Sequence, residues 1–140
     1  MRDPFTLERF VKAQGEVYSD VLAELRAGRK RSHWIWFIFP QMKGLGRSAQ
    51  ALYYGIGSLE EAAAYLRHPL LGARLVECTE LVNRVEDRTI HEIFGSPDDM
   101  KFRSSMTLFA RAAEDGEIFH EALKRYFGGE LDPLTQELLG

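Results

Sequence analysis

The sequence holds one cysteine, Cys78, so no internal disulfide can form, and its cysteine and four histidines show no zinc spacing. A reducing, cytoplasmic setting is therefore expected, with no metal and no cofactor. No apolar run approaches the ~20 residues of a membrane span, and the start MRDPFTLERF lacks the apolar core of a signal peptide. Internal repeats, low-complexity tracts and linkers are also missing, so one domain over residues 1–140 is expected. What is present is a chain of 140 residues, 45% hydrophobic and 28% charged, with net charge −3 and mean hydropathy −0.26. That make-up fits a folded globular protein and excludes a disordered one.

Apolar residues recur mostly at the helical spacing of three and four. Leu7, Phe10 and Val11 share one face, and Tyr18, Val21, Leu22 and Leu25 continue it past Gly15, where a break stays undecided, until Gly28. Ser58 with Glu61 forms a capping box that predicts a helix from Leu59 to the His68-Pro69 step. Pro69 suits the first turn of the next helix, whose buried stripe is Leu71, Leu75, Cys78 and Val82. Thr89 and Glu92 repeat the box before a short turn ending at Gly95. Ser96 as cap, Pro97 at the first helical position and two carboxylates, Asp98 and Asp99, then predict a helix with Met106, Phe109, Ala110 and Ala113 on its core face. Asp115-Gly116 ends it. Ile118, Phe119, Ala122, Leu123 and Tyr126 line the following helix, Gly128-Gly129 closes that, and Asp132-Pro133 caps a last short one.

Trp34 to Phe39 reads as a strand by propensity, yet no second strand exists to pair with it, and an unpaired strand would bury orphaned backbone groups. The run is therefore expected to form a buried helical turn or two, capped by Ser32 and ended by Pro40. The fold class is then all-α, a compact bundle of about six to eight short helices, with a small α+β fold as the alternative.

Charge is unevenly placed. From Leu25 to Leu59 there is no Asp or Glu, while Arg26, Arg29, Lys30, Arg31, Lys43 and Arg47 all fall inside; elsewhere acids outnumber bases and leave −9. Such a stretch suits an anionic partner through long-range attraction and guanidinium forks, or is a solvated face. Gly44-Leu45-Gly46-Arg47-Ser48-Ala49 fits G-x-G-x-x-A, but without a parallel βαβ unit or an acidic ribose ligand it is no dinucleotide fingerprint. A glycine turn at a helix start can still hold an anion through its N–H groups.

Ser32, His33 and Gln41 bracket the aromatic run, where His33 could work as an acid/base and Trp34 or Trp36 could stack on a ligand; a structural histidine is the competing reading. Lys101 and Ser104 share a helical face, fit for a phosphate clamp or simply for packing. His68, His91 and His120 read as a cap and two surface residues.

The strings GRKRSHWIWFIFPQMKGLGRSA, LEEAAAYLRHPLLGARL and PDDMKFRSSMTLF resemble, over about Asp3 to Thr135, the family called domain of unknown function 1810. The resemblance implies a compact, essentially all-α fold and brings no established reaction or catalytic residues. A calpastatin label sometimes attached to that family implies a disordered inhibitor, which nine Phe, two Trp and a patterned core exclude.

Two functions are consistent with these residues. One is a basic, tryptophan-lined pocket for a small anionic, phosphorylated or nucleotide-like molecule, with Arg31, Lys43 and Arg47 on the anion and Gly44 and Gly46 supplying N–H groups. Ser32, His33 and Gln41 would orient it, Trp34 and Trp36 would stack, and Lys101 with Ser104 would close the far wall. The other is a non-enzymatic module whose basic face binds an acidic protein or RNA. A pI near 5.8 disfavours nucleic acid. Neither reading involves a membrane.

Overall fold

The computed structural model describes residues 3–140, and within them the chain is all-α. Ten helices follow in order: α1 (Glu8–Gly15), α2 (Tyr18–Arg26), α3 (Ile35–Ile38), α4 (Ala49–Tyr54), α5 (Leu59–Arg67), α6 (Leu71–Arg84), α7 (Ile90–Phe94), α8 (Asp98–Ala112), α9 (Glu117–Phe127) and α10 (Pro133–Leu139). The aromatic run is indeed helical. Among the described residues, strand-like pairing is limited to one parallel bridge between Met42 and Ile56.

Local chemistry accounts for most helix starts. The hydroxyls of Ser48 and Ser58 accept from the N–H groups of Ala51 and Glu61, and Thr89 and Glu92 close a reciprocal capping box. Asp132 accepts from Thr135 N, with Pro133 in the first turn. His68 works as a cap, its Nδ1 accepting from Leu70 N and Leu71 N at 3.2 Å each. Gly128, with φ +64°, takes the left-handed position that ends α9. Gly15 does break the first pair, since α1 stops there and α2 resumes at Tyr18.

Two starts differ from the sequence reading. Ser32 does not cap α3, because its hydroxyl is bound to Glu24 and the chain enters the helix at Trp34. Nor does Ser96 cap α8, which begins at Asp98 with Pro97 before it and no side-chain cap bond.

Helix α8 lies at the centre, packed on α5, α7, α9 and α10, while α6 lies against α2, α5 and α9. Its buried Phe102 stacks on Phe94 at 4.9 Å and meets Phe39 edge-on at 4.9 Å; further along, Phe109 reaches Tyr65 and Phe119. Helices α5 and α6 meet so closely at Gly72 that a Cβ there would lie 2.1 Å from the Leu66 carbonyl oxygen. Opposite α2, the Cys78 thiol is fully buried, contacts the Tyr18 hydroxyl at 3.8 Å, and is pushed up to about 12 by burial. Among the described residues, no helix is long and apolar enough to cross a membrane, and no cluster of His, Cys, Asp and Glu could hold a metal ion.

Candidate functional site

The basic stretch is positioned by a turn and one carboxylate. After α2 the chain reverses at Gly28, whose φ of +74° suits glycine, and it runs back along the helix that it has just left. Glu24 on α2 then accepts four hydrogen bonds: from Arg31 N at 2.6 Å, Ser32 N at 2.9 Å, Ser32 Oγ at 2.6 Å and Trp34 Nε1 at 3.0 Å. Burial alone would raise the Glu24 pKa, but the Ser32 hydroxyl, the two backbone N–H groups and the indole together hold it below the ordinary carboxylate value.

Glu24→Ala should destabilise the protein by about 1–3 kcal/mol, because the indole N–H of Trp34 would stay buried with no acceptor. The folded pKa lies below the unfolded one, so the carboxylate's contribution is full above the unfolded value and fades as pH falls through the folded value. Urea unfolding from pH 7 down to pH ~3 should therefore show a smaller acid loss in the variant. Identical pH dependence in both proteins would remove Glu24 from this role.

Beyond Glu24 the loop delivers Lys30 into the molecule. Its ammonium meets Asp98 Oδ2 at 2.8 Å and sits 5.1 Å from the Trp34 ring centre, with its side chain only 6% exposed. The other oxygen of Asp98 faces Lys101 Nζ at 3.7 Å, and Lys101 in turn stands 5.0 Å from the Trp36 ring. Two ammonium groups thus share one carboxylate in front of two indoles. The indole N–H of Trp36 is buried with no hydrogen-bond partner among the described residues.

Beside Lys30 lies a groove of about 440 Å³, lined by Arg29, Lys30, Arg88, His91, Glu92 and the end of α7 from Ile93 to Gly95. Lys30 N donates to Ile93 O at 2.7 Å, which joins its two walls. Phe94 forms part of the lining and packs in a T-shaped arrangement with Trp34, which is not in it. Neither Arg29 nor Arg88 forms an ion pair among the described residues, whereas His91 lies 3.4 Å from Asp99. Glu92 is the one acid in the lining, held below the ordinary carboxylate value by its Thr89 bonds.

The residues singled out from sequence are placed unevenly. Arg31 and His33 are exposed, and no side chain orients His33 among the described residues. Trp34 is 1% exposed with its N–H taken, so it packs in the core and presents no face for stacking. Trp36 and Lys101 are together, half-buried. Ser104 has turned inward, bonding Met100 O and Asp132 Oδ2, and so ties α10 to α8. Gln41 and Lys43 carry the bridge to Ile56 through their backbones. Gly46 is needed for packing, since a Cβ there would lie 2.7 Å from that of Ala51, and Gly44 approaches Leu138. Lys43 and Arg47 are exposed and without ion pairs among the described residues. Reading by sequence missed Asp98 as the partner of two lysines, and Arg88 and His91 as a wall. The acid-free stretch did signal the other wall, through Arg29 and Lys30.

Comparison with known proteins adds a family and a solved relative. A family model described as a protein of unknown function (DUF1810) matches residues 4–139. The conserved hypothetical protein Rv1873 from Mycobacterium tuberculosis, known from a crystal structure, is 61% identical, with 98% of each chain covered and a TM-score of 0.97. No curated protein matches.

Proposed function

The chain belongs to the DUF1810 family of proteins of unknown function, and we propose that it binds a small phosphorylated or otherwise anionic molecule in the groove of Arg29, Lys30, Arg88 and His91. The observation that carries this reading is the groove itself. It is concave, it gathers Arg29, Lys30 and Arg88 from two distant parts of the chain, and its lining holds only Glu92 as an acid, Asp98 behind it being bound to Lys30. Lys30 is poised between this groove and Asp98, where Lys101 competes for the same carboxylate. The charges of Arg29 and Arg88, exposed and without ion pairs among the described residues, would be matched by an anion. Trp36 and Lys101 are outside this lining, and Lys101 is linked to it only through Asp98. His33, the acid/base candidate from sequence, is not part of this lining.

A thermal-shift screen of inorganic phosphate, nucleotides, sugar phosphates and organic acids tests it. A true ligand present at about 100 times its Kd should add about 2.7 kcal/mol of apparent stability. Arg88→Ala should weaken that ligand by about 1–3 kcal/mol, roughly fivefold to 150-fold, through loss of a charge-assisted bond. A screen without a saturable ligand, or a variant that binds as tightly as the parent, would end the assignment.

A further inference from the structure

Six of the 21 acidic residues line another face. Along the outer side of α6, a hollow of about 590 Å³ adjoins one of about 330 Å³ against α5, α8 and α9, and a third of about 410 Å³ at the start of α9. Val76 lines all three, so they form one continuous groove. Its apolar floor is Leu66, Val76, Leu81, Ala112 and Ile118, all half-buried, and so apolar surface is left open to water. Its banks carry six carboxylates: Glu77, Glu80, Glu114, Asp115, Glu117 and Glu121. Against them stand Arg26, Arg67 and Arg84, and Arg84 is already paired with Glu80 at 3.3 Å.

We propose that this groove is a docking surface for a basic amphipathic helix of a partner protein. Its floor supplies the apolar contact that a helical stripe of leucine-like residues needs. Glu114, Asp115, Glu117 and Glu121 on the bank around the start of α9 match lysines and arginines, while along α6 Glu77 and Glu80 are balanced by Arg26 and Arg84. Acids outnumber bases two to one along it. The charge that disfavours nucleic acid here is the charge that selects a cationic partner. From Gly72 to Arg84 the wall formed by α6 runs about 18 Å at 1.5 Å per residue, room for roughly three turns of a docked helix. The surface is separate from the Arg29–Arg88 groove, and neither assignment depends on the other.

The test uses the whole chain and a fluorescein-labelled 18-residue helix of leucine and lysine, leucines at helical spacing, alongside a scrambled peptide of the same composition. Fluorescence anisotropy should show saturable binding of the patterned peptide, at least tenfold tighter than the scrambled one. Val76→Asp, which sets a charge on the half-buried floor, should weaken it at least tenfold. The double variant Glu114→Lys with Asp115→Lys, confined to exposed positions, should weaken it as well. Circular dichroism would confirm that both variants are folded. Equal binding of the two peptides would mean charge attraction alone and would overturn the proposal, as would full affinity in both folded variants. Self-association of the unmodified chain that Val76→Asp abolishes, with no peptide binding, would assign the groove to a second copy instead and equally overturn it.

Discussion

Phe102→Ala should lower the unfolding free energy by about 3–5 kcal/mol, a large share of the ~5–15 kcal/mol that a domain commands. Phe102 is completely buried and joins three segments that come from separate parts of the sequence: α8 itself, Phe39 after α3, and Phe94 at the end of α7. Truncation removes the transfer energy of a ring and leaves a hole that neighbours fixed by two other helices cannot fully close. The two flanking segments also supply Lys30's neighbours, Ile93 and Trp34, so the loss should weaken the groove along with the fold. Urea unfolding followed by circular dichroism measures it. A loss below about 1.5 kcal/mol would show that the aromatic cluster repacks freely.

Arg9→Met should cost a comparable about 3–5 kcal/mol. Arg9 binds the carbonyls of Phe5, Thr6, Tyr53 and Gly55, and its Nη2 meets Glu61 Oε2 at 2.9 Å, with both side chains only 9% exposed. One guanidinium thereby ties the start of α1 to the end of α4 and the first turn of α5. Removing it leaves the Glu61 carboxylate desolvated and unmatched, which is the expensive way to break a buried pair. The double variant Arg9→Met with Glu61→Leu should recover part of the loss, since no charge is then stranded; Gly57 N, which donates to Glu61 Oε1, would still lose its acceptor. If the double variant is less stable than the single one, the Gly57 N bond to Glu61, and not the stranded charge, dominates that difference.

The difference between these effects and the legible parts of the sequence is one of distance along the chain. Caps are local, so Ser58 with Glu61, Thr89 with Glu92 and Asp132 with Pro133 announce their helices from residues one to three positions away. The aromatic run could be assigned to helix because a lone strand has nowhere to send its hydrogen bonds. Glu24 gives no such signal: within α2 it resembles any solvated glutamate, and only the left-handed turn at Gly28 brings Arg31, Ser32 and Trp34 back to it. For the same reason Ser32 was misread as a cap. The Lys30 to Asp98 contact and the Arg88 wall depend on how α7 and α8 fold against that loop, which no periodicity encodes. The acid-free stretch contains Arg29 and Lys30, but the residues that its charge suggested for an anion, Arg31, Lys43 and Arg47, are not in the lining of this groove. Trp34, the most ligand-like residue by type, is in the core because its N–H found a carboxylate within the protein.

The buried thiol of Cys78 makes the molecule a reporter of its own opening. A group held protonated and sealed between α6 and α2 cannot react with an alkylating reagent at neutral pH until those helices part. Since the chain has only that one sulfhydryl, each adduct counts a single opening event, with no second site to confuse the tally. Breathing of the scaffold can thus be followed by mass alone, without a dye or an engineered label.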